Sequence, residues 1–553
     1  MLEMKLHHPR FFKQNSNYKT LLSRGIHCLT LFCLISLQGQ ELPYLENNQL
    51  MVDQSPFMIL GGELGNSSAS TPHALSTVWS KANEMHLNTI LAPVYWELIE
   101  PEETKFDFSS VEYLLKKSKE NHLKLVLLWF GTWKNSMSSY VPHWIKKDVK
   151  RFPRAKDENN ISQEILSPFS EEVLQADLDA FKALMGYIKK ADPWGETVIM
   201  IQVENEIGML PSARDHQTLA EQAFQEEVPK KLIDYLKKNK KQLQQGLLER
   251  WKTQGYPTQG NWEAVFGKGV ETDEFFMAWH FSVFANQIAE AGKKIHNLPM
   301  FVNAALNHRA GKKPGEYPSG GPLPHLMDIW KAAGSILDFY SPDYYTPNFK
   351  HWSDLYHQDN NPLFVPEHRF DETVGAKALY AMGHYNALGF SPFSIENSNP
   401  ALEKGLKQTY ALLENSFPVL KQEGENFKKD AVLIAKGDSV QTLDFEDYTF
   451  HIKHGYTLSW TGGQNLENWP LAASIVVQVG SNEFYVIGTG AVMTVESNKN
   501  LSVGLLEVEE GIFVDGKWQV LRYLNGDQTH QGRHISIPVN EYQIQRVSLY
   551  TYP

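Results

Sequence analysis

Between about residue 56 and about residue 415 the chain repeats one unit, a short apolar run followed by an amphipathic stretch, and that repeat restricts the fold more than any other feature. Strands of a parallel sheet are buried on both faces and joined by crossover helices, so they read as apolar runs separated by helical periodicity. Eight strand candidates are present: Phe57–Gly61, Thr89–Val94, Leu123–Phe130, Val198–Val203, Met300–Asn303, Leu337–Ser341, Leu363–Val365 and Gly389–Phe393. Helical patterns lie between most of them, as at Ser76–Met85 and Ser110–Asn121. A doubly wound open sheet is the alternative, yet no glycine-rich phosphate fingerprint follows the first run. The expected fold is therefore α/β, a (β/α)8 barrel of the TIM type over residues 41–420.

A helical insertion is expected at about residues 207–297, between the fourth and fifth strands, with helical periodicity around Phe224–Trp251 and Glu274–Ile295. Its Lys230, Lys231, Lys237, Lys238, Lys240 and Lys241 read as a solvated helix face rather than a nucleic-acid surface. After about residue 425 the pattern changes to short alternating strands, in Ser474–Val479, Glu483–Thr489, Gly511–Val514 and Val547–Tyr552. Separated by turn residues, these predict a smaller all-β sandwich domain over 425–553.

Residues 1–40 read as a signal peptide, with Lys5, Arg10, Lys13, Lys19 and Arg24 ahead of an apolar run from Gly25 to Leu37 and small or polar residues near Gly39 and Gln40. The expected location is periplasmic or secreted. Both cysteines, Cys28 and Cys33, fall inside this segment, so the processed chain is expected to hold no disulfide and no cysteine-bound metal. Neither cysteine ends the apolar run after small residues, which argues against a lipoprotein anchor. Elsewhere no apolar stretch is long enough for a membrane helix. The net charge of −12 gives no basis for general binding to nucleic acid or anionic membrane, and 14 Trp with 23 Tyr suit stacking on neutral sugar rings as well as core packing.

In a barrel of this kind chemistry sits at the C-terminal ends of the strands. The fourth run ends in Gln202-Val203-Glu204-Asn205-Glu206-Ile207-Gly208, and the seventh in Val365-Pro366-Glu367-His368-Arg369. Strands four and seven face each other across a barrel, and a glycosidase needs two such carboxyl groups, one to protonate the leaving oxygen and one to attack or to activate water. Regular pleating would put Glu204 and Glu206 on one side of the strand with Asn205 opposite. No Ser occupies a nucleophile elbow and no metal-ligand spacing appears, so no metal and no cofactor is expected.

The segment QVENEIG resembles the QVENEYG motif of the glycoside hydrolase family 35 β-galactosidases, and its Asn-Glu pair resembles the strand-four end of the wider clan of retaining barrel glycosidases. Gly62-Glu63-Leu64 resembles the family's Gly-Glu-Ile on strand one, Trp96–Pro101 with Lys105–Phe108 resembles its WxxxEPxxGxxxF block, and Pro366–Phe370 resembles the strand-seven nucleophile of a bacterial branch that carries a C-terminal β-sandwich. The resemblance implies a retaining exo-β-galactosidase acting on oligo- or polysaccharides. In that reading Glu206 is the acid/base, Glu367 the nucleophile, Asn205 a donor to the sugar 2-hydroxyl and Glu204 a supporting or substrate-binding carboxylate. Departures bear on the sugar: Gly65-Asn66-Ser67-Ser68 replaces a His-Tyr-x-Arg run, Pro93 a sugar-binding Tyr, and Gly131-Thr132-Trp133 an Ala-Glu-Trp. The alternatives are a retaining β-glycosidase with another sugar, a uronic acid included, and a non-catalytic carbohydrate-binding protein. The oligomeric state is not readable from the sequence.

Further substrate-contact candidates are Glu63, Asn66, Trp133, Tyr345 and Asn303. Trp129 is a stacking platform or core, one of Tyr344 and Tyr345 is expected to orient the nucleophile, His368 and Arg369 to hold Glu367 ionised, and Glu396-Asn397 to complete the rim.

Overall fold

The structure, a computed structural model, describes residues 41–306, 311–422, 427–524 and 526–553. The expected signal peptide and both cysteines lie outside the described residues. Eight parallel strands close into a barrel: Ile59–Glu63, Thr89–Tyr95, Lys124–Lys134, Val198–Asn205, Met300–Ala305, Phe339–Tyr344, Val365–His368 and Gly389–Pro392. Every residue of the second, fourth, sixth, seventh and eighth of these is buried, as a strand between a filled barrel interior and a ring of helices must be. An antiparallel three-stranded ribbon, Tyr44–Glu46, Gln49–Val52 and Ser55–Pro56, precedes the barrel and buries Leu50 and Val52.

Two boundaries differ from the sequence expectation. The first strand starts at Ile59, because Phe57 still belongs to the ribbon, its N–H donating to Leu50 O at 2.8 Å. The insertion proper ends before Val270. Val270–Ile295 is the barrel's own helix, buried along much of its length and packed against the preceding barrel helix Glu171–Ala191. Only the short helices Thr218–Gln225, Lys230–Asn239, Gln245–Thr253 and Trp262–Phe266 are inserted. The polar breaks between those helices do not show in a periodicity count.

The C-terminal region holds a six-stranded sheet in the order Lys428–Ile434, Ala472–Gly480, Glu483–Thr489, Gln543–Tyr552, Ser502–Val514, Lys517–Tyr523, and a four-stranded sheet of Gln441–Phe445, Tyr448–His454, Ala491–Ser497 and Ile535–Ser536. Val476, Phe484 and Val547 from the larger sheet meet Phe450, Ile452 and Met493 from the smaller in a core of their own. The other face of the larger sheet contributes Ala431, Leu433, Ala473, Ile475 and Ile487 to the barrel core, against the last two barrel helices, Val374–His384 and Pro400–Leu420. Gly383 marks the closest approach, since a Cβ there would lie 2.6 Å from Ala431 Cβ. Asn415 reads the sheet's backbone from the last helix, accepting from Phe513 N at 2.9 Å and donating to Phe513 O at 3.0 Å.

Candidate active site

Six of the nominated residues meet at the C-terminal ends of the barrel strands: Glu63 on the first, Asn205 and Glu206 at the end of the fourth, Asn303 on the fifth, Tyr345 after the sixth and Glu367 on the seventh. Glu206 and Glu367 are 6% and 5% exposed. Regular pleating fails at the end of strand four, where Glu204 and Glu206 take φ of +60° and +46°, a conformation that β-carbon crowding makes uncommon for any residue but glycine. The kink is held from both neighbours: Glu206 N donates to Asn303 Oδ1 at 2.9 Å, and Ser136 N donates to Glu206 O at 3.1 Å. Asn135 Nδ2 donates to the carboxyl oxygen Glu206 Oε2 at 2.6 Å, and Asn303 Nδ2 donates to Asp343 Oδ2 at 2.7 Å.

Because of that kink, Glu204 turns away from Glu206. Glu204 is fully buried, with Oε2 accepting from Trp133 N at 2.7 Å, and it lies beside Asp177 of helix Glu171–Ala191. Burial first, then the neighbouring Asp177 charge, push its carboxyl well above the ordinary range. Asp177 accepts from Trp129 Nε1 at 2.9 Å, Thr132 N at 3.0 Å and Thr132 Oγ1 at 2.6 Å. Glu204 and Asp177 thus form a buried acid pair that lashes strand three to the helix outside the barrel. Gly131 makes room for it, as a Cβ there would sit 2.7 Å from Glu204 Oε1 and 2.2 Å from Trp129 Nε1. Glu204 is thus not a substrate contact.

Trp133 is not one either. It is fully buried, donates from Nε1 to Leu166 O at 3.1 Å and meets Phe281 and Phe284 of the barrel helix at ring distances of 5.1 and 4.6 Å. Trp129 is likewise core. Tyr344 bonds Ser353 at 2.7 Å in the wall, whereas the Tyr345 hydroxyl donates to Glu367 Oε1. His368 and Arg369 do not pair with Glu367. Burial first, then Lys377, bring His368 down to about 3, so its neutral ring donates from Nδ1 to Arg369 O at 2.6 Å and accepts from Lys377 Nζ at 3.2 Å. Arg369 is exposed, over the Tyr345 ring at 5.8 Å. Glu396 braces the loop after strand one through Gly65 N at 3.0 Å.

Lys134, Asn135 and Asp343 complete the cluster and were not singled out by sequence. Lys134 lies past the end of the apolar run; strand three continues to it because Asp177 and Glu204 hold Thr132 and Trp133 in extended form. It is 4% exposed and donates to Asn205 Oδ1 at 2.8 Å. Asp343 stands within the Ser-Pro-Asp-Tyr-Tyr stretch, where an acid after a strand is the signal.

Electrostatically the cluster is acid-rich. Burial, then the Glu367 charge, push Glu63 and Asp343 well above the carboxylate range. Glu367 is raised to about 7, by burial and then by Glu206, against the lowering pull of Lys134 and the Tyr345 hydroxyl. Glu63 and Glu367 lie within hydrogen-bonding reach of each other, while buried Asn205 Nδ2 and Asp343 Oδ1 have no protein partner, as is true of Asn66 Oδ1 after strand one. A polyhydroxylated ligand supplies the donors and acceptors that such atoms lack.

A closed parallel barrel with acids on strands four and seven, converging at its C-terminal face, has the architecture of the barrel glycoside hydrolases. Residues 49–277 match the model of glycosyl hydrolases family 35, and residues 406–536 match a domain of unknown function (DUF5597). The family 35 match takes in Glu206 and ends before Glu367. No curated protein matches the chain. Solved structures similar to it include a β-galactosidase from the psychrophilic Marinomonas ef1, at 12% identity and a TM-score of 0.44, covering 65% of this chain and 60% of that one. A β-galactosidase from Bacillus circulans sp. alkalophilus matches at 13% identity and 0.45, covering 65% and 56%. The catalytic domain of a β-amylase from Paenibacillus polymyxa matches at 14% identity and 0.45, covering 63% and 96%. The chain thus spans 60% or less of the length of the two β-galactosidases.

Proposed function

We propose that the protein is a retaining exo-β-galactosidase that removes terminal β-galactosyl groups from oligo- or polysaccharides by double displacement. The observation that carries the reading is geometric: Glu206 and Glu367, 6% and 5% exposed, stand at the C-terminal ends of strands four and seven of one closed barrel. In the first step Glu367 attacks the anomeric carbon while Glu206 gives its proton to the departing oxygen, leaving a glycosyl ester on Glu367. In the second, Glu206 takes a proton from water, whose oxygen displaces Glu367 and restores both groups. Asn135 holds the Glu206 carboxyl, Tyr345 and Lys134 stabilise Glu367 as it leaves as an anion, and Asn205 Nδ2 is free to donate to the 2-hydroxyl.

Galactose is the sugar that the family resemblance implies. The departures at Gly65–Ser68, Pro93 and Gly131–Trp133 favour, as the second reading, a retaining glycosidase with another neutral sugar. Nitrophenyl β-galactoside, glucoside, xyloside and glucuronide, followed by proton NMR of the first product anomer, test the reading. Fastest turnover of the galactoside with the β-anomer appearing first is expected; inversion, or no turnover of any substrate, overturns it. Export follows from the basic and apolar pattern of residues 1–40, and fractionation of cells expressing the chain with and without that segment tests it.

A further inference from the structure

A cavity lies in the C-terminal domain, remote in sequence from the barrel residues described above. It opens at the end of the sandwich, among the loop after Tyr448–His454, the end of Lys517–Tyr523 and the strand Gln543–Tyr552, with a volume of about 420 Å3. That is within the range of small-ligand sites.

Its wall combines a presented aromatic face with a buried acceptor. Trp460 lines the cavity and is 58% exposed, although an indole is costly to leave in water. His530 lies against it at a ring distance of 4.6 Å and His534 stacks on His530 at 5.2 Å, so the indole is braced on one side and open on the other. Gln545, also in the wall, is 1% exposed, and its amide is fixed by donation from Nε2 to Ser536 O and to Gln543 Oε1, each at 2.9 Å. Gln543 in turn donates to Glu541 Oε2 at 2.8 Å. This chain of amides leaves Gln545 Oε1 buried with no protein partner. Arg522 and Asp527 stand in the same wall, and Arg522, the one cation among the described wall residues, is already engaged by Glu510.

We propose that this cavity is a carbohydrate-binding site for a neutral polysaccharide segment, distinct from the barrel site. The indole face takes the C–H face of a pyranose ring and Gln545 Oε1 accepts from a ring hydroxyl, a pairing of one flat apolar surface with directional planar acceptors that suits sugars. It stands independently of which glycoside the barrel cleaves.

Affinity electrophoresis of the full chain through gels containing β-1,4-galactan, xylan, mannan or mixed-linkage β-glucan tests it, with thermal midpoints confirming that variants are folded. The expected result is retardation in at least one gel, abolished by Trp460→Ala, weakened about tenfold by Gln545→Leu and retained by Glu367→Gln. Absence of retardation in every gel overturns the proposal, as does equal retardation of Trp460→Ala. Loss of retardation in Glu367→Gln, with Trp460→Ala unaffected, overturns it by assigning the binding to the barrel.

Discussion

Lys134 Nζ donates to Asn205 Oδ1 across 2.8 Å, joining the ends of the third and fourth barrel strands amid Glu63, Asp343 and Glu367. The bond goes to a neutral amide, so it leaves the ammonium charge to be balanced by a carboxylate, because a buried unpaired cation is costly. Burial, then the Glu367 charge, pushes Glu63 and Asp343 well above the carboxylate range. Glu367 is raised to about 7, and Lys134 is the neighbouring cation that pulls it back down.

The pH dependence follows. Attack requires ionised Glu367, so kcat/KM on an activated aryl galactoside rises with pH through about 7 and falls away on the acid side. Lys134→Met removes the charge that lowers this group, and the acid limb moves up by about one pH unit or more, which is about tenfold less activity at pH 6. Lys134→Arg retains the charge and keeps the limb near its original position. A fall in kcat/KM that is equal at every pH would assign Lys134 a merely structural part.

Glu367→Ala removes the nucleophile and leaves the neighbouring donors, Tyr345 and Lys134, in place. Turnover of an aryl galactoside falls by several orders of magnitude, and azide, small enough for the space vacated, restores it by forming the α-galactosyl azide. Product analysis by NMR decides the matter; unchanged activity in the variant removes Glu367 from the mechanism.

Glu204 and Asp177 form a structural acid pair, so their substitution is read in stability rather than in chemistry. Glu204→Ala strips Trp133 N of its buried acceptor and costs about 2 kcal/mol or more. Glu204→Gln keeps an oxygen for Trp133 N and an N–H toward Asp177, as protonated Glu204 does, and changes stability by about 0.5 kcal/mol at most. Denaturation midpoints of the two variants give the comparison. Equal losses would mean that Glu204 is ionised in the folded protein.

The barrel was legible because eight buried strands must read as apolar runs whatever surrounds them, and the QVENEIG segment marked the end of the fourth. What hid the remainder of the site was contact across the sequence. Lys134 enters the cluster because Asp177, 43 residues later, holds strand three extended through Thr132, a bond to Oδ2 that no local pattern announces. Glu204 leaves it because the left-handed turns at Glu204 and Glu206 break the alternation on which its placement rested. The adjacent tyrosines separate where strand six ends: Tyr344, its last residue, bonds Ser353, and Tyr345 after it turns its hydroxyl to Glu367.

The acid/base role is the remaining assignment, and leaving-group dependence isolates it. Glu206 is fixed through its own backbone by Asn303 and Ser136 and through its side chain by Asn135, an arrangement that holds one carboxyl in place. A proton donor matters in proportion to the basicity of the departing oxygen, so its loss is severe for a sugar alkoxide and slight for a dinitrophenolate. Glu206→Ala is therefore expected to slow hydrolysis of lactose by several orders of magnitude while dinitrophenyl galactoside still forms the glycosyl-enzyme. Release of that intermediate then becomes rate-limiting, because the same residue deprotonates water, and a burst of dinitrophenol followed by a slow steady state is the signature. Asn135→Ala, which frees the carboxyl without removing it, shows the same dependence in milder form, about tenfold on lactose and less on the activated substrate. If Glu206→Ala depresses both substrates equally, Glu206 is a binding residue and the proton comes from elsewhere in the cluster.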